Sequence, residues 1–371
     1  MAIEVHGECA AGFERVRDVF VAGMDAGTEV GASVAVTVGN EPVVDLWAGH
    51  RDAARALPWE RDTIAVVHSS TKGMTSTCAH VLVDRGELDL DAPVARYWPQ
   101  FAQAGKADIP VRWLLSHRAG VPAVREVLPP EAAWDWDAMT QALAAQEPWW
   151  EPGSTHGYHA IVFGWLVGEV IRRVSGAGLG AFFHAEVAEP LGIDFHIGTG
   201  PDLDARTAEA VGDAVPRVFT ERAEITDRAF NNPVEFLAAD IVNSRPYRAA
   251  ELGAVNGHGN ARALARLYGA LSCGGQVDGV RLMAPETIEQ LHVEQSAGED
   301  AVLGTQMRFG LGFQLPQGDA HGRGPHSFGH AGAGGSLGWA DPDVRLGFGY
   351  VMNQMGSGMA DPLLQAAYAS L

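Results

Sequence analysis

Apolar positions near the start of the chain follow helical spacing and then strand spacing. Phe13, Val16, Val19, Phe20 and Met24 recur with a period near 3.6, which predicts an amphipathic helix over about residues 10–27 lying on a sheet. Residues 31–49 are two β-branched runs on either side of Gly39-Asn40-Glu41-Pro42, a hairpin signal. A third short strand over residues 63–67 runs into a helix that passes through Cys78, Val81 and Leu82 and stops near Gly86, a C-cap glycine. A short helix ending in a Gly/Pro turn is expected over residues 111–122.

The middle of the chain is helical in pattern. Helices are expected over residues 132–146, 158–174 and 179–188, separated by turns bearing Pro and Gly, and one more over 233–242 in an otherwise weakly periodic stretch. Two further helices are expected at 261–271 and 285–292. The pattern then changes to strands at 309–315, 327–330, 335–340 and 346–352, with a last helix over 361–370. Strands at both ends with helices between them predict a discontinuous α/β domain from residues 1–72 and 257–371. A mainly helical domain, residues 73–256, is inserted into it, with the segment around residue 69 at the junction.

Composition narrows the function. The 371 residues are 47% hydrophobic, enough for a full core. The formal charge of −20, from 46 acids against 26 bases, opposes binding to nucleic acid or to an anionic membrane and suits a neutral or cationic small substrate. Cys9, Cys78 and Cys273 are too scattered for a disulfide framework or a metal site and read as small buried apolar residues. The first ten residues lack a basic start followed by an apolar run, and no window approaches 18 uninterrupted apolar residues, so a soluble cytoplasmic protein is expected.

The candidate chemistry centres on Val66-Val67-His68-Ser69-Ser70-Thr71-Lys72. Three residues apart on a helix, the Ser69 hydroxyl and the Lys72 amine share a face, and an amine whose pKa is lowered by burial can take a serine proton. The chain has 2 lysines and 14 serines; a serine three residues before a lysine arises by accident in about one such chain in thirteen. Tyr158, in Glu151-Pro-Gly-Ser-Thr-His-Gly-Tyr158, is a second candidate, since a phenol near an ammonium can ionise and act as a base; taken alone it is equally a packing residue with a satisfied hydroxyl. Glycine-rich Phe328-Gly-His-Ala-Gly-Ala-Gly-Gly-Ser-Leu-Gly-Trp339 suits a strand edge that aims an N–H at an oxyanion. Ser336 there matches G-x-S-x-G, but the residues after it read as strand rather than the helix such an elbow requires. His117 reads as a structural hydrogen-bonding residue.

Several segments, in order, carry a family likeness: Ser69-Ser-Thr-Lys72, Gly86-Glu-Leu-Asp-Leu-Asp-Ala-Pro-Val, Leu114-Leu-Ser-His-Arg-Ala-Gly-Val-Pro, Glu151-Pro-Gly followed by Tyr158, and His330-Ala-Gly332. Across almost its whole length the chain resembles the serine β-lactamase-like proteins, which include class C β-lactamases, D-stereospecific aminopeptidases and carboxylesterases of that fold. The resemblance implies an antiparallel sheet flanked by helices with an inserted helical domain. It also implies Ser69 as acylated nucleophile, Lys72 as the partner that shuttles its proton, Tyr158 as the base that also serves the leaving group, and an oxyanion hole from the backbone N–H groups of Ser69 and Ala333. It implies two-step acyl transfer with no metal or organic cofactor.

Two positions depart from the β-lactamase pattern. Tyr-x-Asn is Tyr158-His159-Ala160 here, which removes a side-chain amide, and Lys-Thr-Gly is His330-Ala331-Gly332, which removes a permanent cation. Both changes favour small carboxylic esters over β-lactams. His330, Gly332, Trp134 and Trp150 are the expected substrate-binding residues, although Trp134, Trp136, Trp149 and Trp150 also suit core packing. The sequence thus reads as a serine carboxylesterase. An acyltransferase or peptide cyclase using the same acyl-enzyme is the second reading, and a binding protein without turnover the third.

Overall fold

The computed structural model describes residues 3–214, 224–318, 322, 324–356 and 358–371. Residues from both ends of the chain build one six-stranded antiparallel sheet. Its strands are β1 (Val5–Cys9), β2 (Gly31–Val38), β3 (Glu41–Gly49), β4 (Phe328–Ala331), β5 (Leu337–Asp341) and β6 (Leu346–Met352), in the spatial order β1-β3-β2-β6-β5-β4. The β2–β3 turn has positive φ at both central residues, Gly39 (60°) and Asn40 (72°), the two-residue geometry whose twist matches that of a hairpin.

Side chains alternate across β2. Val34 and Val36 face a core with helix α1 (Glu14–Asp25), which contributes Val16, Phe20 and Met24, while Ala35 faces the opposite core. The C-terminal helix Ala360–Tyr368 adds Leu363 and Leu364 to the first core. On the other face helix Ala261–Ser272 rests directly on β6. A Cβ at Gly347 would lie 2.3 Å from Gly269 N, and one at Gly349 would lie 2.2 Å from Ala261 O, so only glycine permits that approach.

Between the two ends of the chain lie the helices of the middle section and a second, three-stranded sheet. In it Gly257–Gly259 is flanked by Ala65–Val66 and Phe195–Ile197. Helix α2 (Thr71–Asp84) is buried on every side from Thr71 to Leu82, the mark of a central helix. It stops before Gly86, whose φ of 71° lets its N–H bond to Val83 O at 2.9 Å. Among the described residues no helix is long and apolar enough to cross a membrane.

Several expected elements change shape. The helix expected from residue 158 begins at Phe163, because the amides of Tyr158 and His159 bond to side chains instead. The helix expected over 132–146 is Trp136–Ala145, which starts where the Asp135 carboxylate accepts the Ala138 N–H at 2.9 Å. The strand expected over 309–315 is Gln306–Phe309, paired with Ser296–Glu299; it ends at a turn where Gly310 N bonds to Phe313 O and Gly312 has φ of 87°. Of the helix expected at 233–242 only Ala239–Val242 is helical, and Glu224–Asn231 forms another helix ahead of it. Strand β1 is an additional element, with an exposed face that leaves little alternation to read.

Candidate active site

The Ser69 turn hangs from both sheets. On one side Val67 N bonds to Gly257 O at 2.9 Å, extending the small sheet. On the other side the Ser70 hydroxyl donates to His330 O at 3.0 Å, and the Ser336 hydroxyl donates to Val67 O at 2.7 Å while lying 3.0 Å from Ser70 Oγ. His68, just before the serine, has φ of 44°, a left-handed conformation rare for a side chain of its size. This kink and the short turn His68–Ser70 bring Ser69 to the start of α2.

One turn along α2, Lys72 Nζ lies 3.1 Å from Ser69 Oγ. It also donates to Ala160 O at 2.6 Å and to Ala254 O at 3.1 Å. Ala254 is presented by a loop pinned at Asn256, whose side chain accepts the Leu252 N–H at 2.9 Å and donates to Tyr247 O at 2.8 Å. Among the described residues no carboxylate pairs with Lys72. Burial without a counter-charge drives its amine well below the usual ammonium value.

Tyr158 arrives from the segment ahead of helix Phe163–Ser175 and sets its hydroxyl beside that of Ser69. Its ring lies 4.8 Å from Lys72 Nζ. Burial raises the phenol above its ordinary value, against the lowering effect of the neighbouring Ser69 hydroxyl. Both shifts favour the neutral forms, an amine and a phenol, over a Lys72 ammonium paired with a Tyr158 phenolate. The three expected reactive side chains therefore meet.

Histidines complete the surround. His117 packs edge-on to Tyr158 at 5.0 Å between ring centroids, and its Nδ1 accepts the His159 N–H at 3.2 Å, the structural bonding expected of it. His159 donates Nδ1–H to Gly157 O at 2.8 Å, and burial pulls its pKa down to about 3. Burial takes His68 to about 4.

The other expected residues fall at varied distances from the reacting atoms. Gly332 touches the turn: a Cβ there would lie 2.2 Å from both Val67 O and Ser336 Oγ. Ala333 follows it at the start of the short turn Ala333–Gly335. The His330 ring lies 6.1 Å from that of Tyr158, and its carbonyl braces Ser70. Trp150 packs against the tyrosine segment, since a Cβ on Gly157 would lie 2.6 Å from its ring. Trp134 packs in an aromatic cluster with Phe236 and Tyr247, at 5.8 and 6.2 Å. Ser336 is buried with its hydroxyl engaged by Ser70 and Val67 and is followed by strand β5, so it braces the site. Among the described residues no group of three or more His, Cys, Asp or Glu is placed to hold a metal ion.

The sequence profile of the Beta-lactamase family matches residues 16–370. The chain belongs to that family. Among relatives of this Beta-lactamase family member is the esterase/beta-lactamase LipL of Mycobacterium tuberculosis, 36% identical over 340 residues that span 88% of this chain and 77% of LipL. A solved family VIII carboxylesterase superposes with a TM-score of 0.94 at 43% identity, with 100% of both chains covered. A penicillin-binding protein homologue from Caulobacter crescentus superposes at 0.93 with 37% identity, over 99% of this chain and 100% of that one.

Proposed function

We infer that the protein is a serine carboxylesterase of the β-lactamase fold, cleaving small esters through an acyl-enzyme on Ser69. The observation that carries this reading is the placement of one hydroxyl, Ser69 Oγ, against both Lys72 Nζ and the Tyr158 phenol. As a neutral amine, Lys72 has two N–H bonds, matched by the carbonyls of Ala160 and Ala254, and one lone pair left for the Ser69 proton.

Ser69 Oγ adds to the ester carbonyl as its proton moves to Lys72. The tetrahedral oxyanion is received by the backbone N–H groups of Ser69 and Ala333. The Tyr158 phenol gives its proton to the departing alkoxide and is reprotonated from Lys72, which returns to the amine. Water then adds to the acyl-enzyme carbonyl, and its proton passes through the same pair to Ser69 Oγ as the acyl–Oγ bond breaks and the acid leaves. The whole cycle uses side chains and backbone of this chain.

Substrate preference is set by the residues around the serine. Ala160 offers no side-chain amide, and histidine occupies position 330 where a β-lactamase strand carries lysine, so neutral esters fit better than anionic β-lactams. Esterase or carboxylesterase appears in the names of two of the compared proteins, which supports the same reading. We place the protein in the cytoplasm, in keeping with free thiols at Cys9, Cys78 and Cys273.

Purified protein should hydrolyse short-chain nitrophenyl esters, and Ser69→Ala should lower kcat by at least about 10³-fold. A fluorophosphonate should add to Ser69, read by mass spectrometry. Full activity in Ser69→Ala would overturn the assignment.

A further inference from the structure

Tyr158 lies outside regular secondary structure, so its position depends on what grips the segment around it. Two amides beside it are held from His117: Gly157 N bonds to His117 O at 3.0 Å and His159 N to His117 Nδ1 at 3.2 Å. The Tyr158 amide is held from elsewhere. It donates to Asp300 Oδ1 at 3.0 Å, across 142 residues of sequence.

Asp300 lies at the end of strand Ser296–Glu299, in the loop leading to Gln306–Phe309, and is fully buried. Its Oδ1 also accepts the N–H groups of Val302 and Leu303, both at 2.9 Å, so the loop coils around the oxygen that holds Tyr158. Its Oδ2 lies 3.9 Å from His156 Nε2. The loop is tied back to the tyrosine segment by Ala301 N, which bonds to His156 O at 3.0 Å. Phe309, on the second strand, lies parallel to the Tyr158 ring within 10° at a centroid distance of 6.0 Å. The hairpin thus fixes Tyr158 at its amide and at its ring.

A buried carboxylate is a costly way to satisfy one backbone N–H, because a carbonyl would do so without burying an ionisable group. Its distinctive property is that one oxygen can gather three N–H donors at a single point and set the tyrosine against a rigid loop. We propose that Asp300 is a positioning residue for Tyr158, acting on ester turnover through the tyrosine hydroxyl rather than by touching substrate. The proposal rests on the catalytic reading of Tyr158 given above.

The test is a double-mutant cycle on nitrophenyl ester hydrolysis with Asp300→Ala, Asp300→Asn, Asp300→Glu and Tyr158→Phe, with thermal melts to establish folding. Asp300→Ala should lower kcat by about 100-fold with KM changed less than about threefold, the loss expected when a reacting group is misplaced by about 1 Å. Asp300→Asn keeps an acceptor oxygen at the same point and should recover to within about tenfold of the parent. Asp300→Glu moves that oxygen by one methylene and should lose at least about tenfold, which provides the test if the alanine variant does not fold. In the Tyr158→Phe background the same changes at Asp300 should cost less than about threefold.

Equal losses in both backgrounds would overturn the proposal, as would a folded Asp300→Ala or Asp300→Glu variant within about threefold of the parent. If Tyr158→Phe alone keeps full Ser69-dependent activity, the reading of Tyr158 fails and this inference falls with it. If Tyr158→Phe is impaired while the Asp300 variants are not, this inference alone fails.

Discussion

A methyl group at Gly332 would press on three atoms in and around the nucleophile's turn: Val67 O and Ser336 Oγ at 2.2 Å and Ser70 Oγ at 3.1 Å. The backbone carbonyl is the least able to move, so Gly332→Ala should push β4 away from Ser69 and displace Ala333 with it. The expected cost is about 1–3 kcal/mol of stability, read from the urea midpoint, together with at least about a tenfold loss of kcat. Ser336→Ala should behave differently. It removes a brace, so it should lower the urea midpoint while fluorophosphonate labelling of Ser69 persists. At this scale the sequence exposes side chains whose type is itself reactive, which is why Ser69, Lys72 and Tyr158 are legible in it. It does not expose the carbonyls of Ala160 and Ala254, since any residue has one, and Asp300 in Gly-Glu-Asp-Ala looks like an ordinary loop acid.

Among the elements, helix Phe163–Ser175 is anchored by a carboxylate with no exposure. Glu169 accepts from Arg172 Nε at 2.7 Å, Arg173 Nε at 2.5 Å and Trp136 Nε1 at 2.7 Å. Burial alone would raise its pKa, but these donors outweigh burial and hold it below the ordinary value. Both arginines are partly exposed and can rehydrate, so Glu169→Ala should cost about 1–3 kcal/mol rather than the more that two stranded buried charges would. A lower urea midpoint with unchanged KM would bear this out. Elements with one dry face, such as α1 and the β2–β3 hairpin, are legible because burial writes a period into the sequence. The helix expected over 158–174 starts five residues too early because apolar residues continue through a segment whose amides bond to Asp300 and His117. Such long-range bonds leave no period.

At the scale of the whole molecule, buried histidines couple folding to pH. Burial lowers His68 and His80 to about 4 and His159 and His258 to about 3 from the usual 6.5, with a smaller contribution from Arg248 at His258. The folded state keeps these rings neutral while the unfolded chain protonates them near 6.5. Their contribution is therefore complete above that value and is lost as pH falls toward 4 and 3, at about 1.4 kcal/mol per pH unit for each ring in its window. The melting temperature should fall steeply between pH 6.5 and 4, with net proton uptake on unfolding measured by calorimetry in buffers of different ionisation enthalpy. On the proposed mechanism activity should also fall in acid, because protonation of Lys72 removes the lone pair that would take the Ser69 proton. The overall architecture is legible because strands cluster at both ends of the chain, whereas the attachment of the Ser69 turn to two different sheets is not. That attachment bears on biosynthesis. Ser69 leaves the ribosome long before Ala254, Asp300, His330 and Ser336, the residues that seat its turn and align its partners. A growing chain therefore carries an inert alcohol at Ser69 and acquires hydrolytic power only after Ser336 has been made.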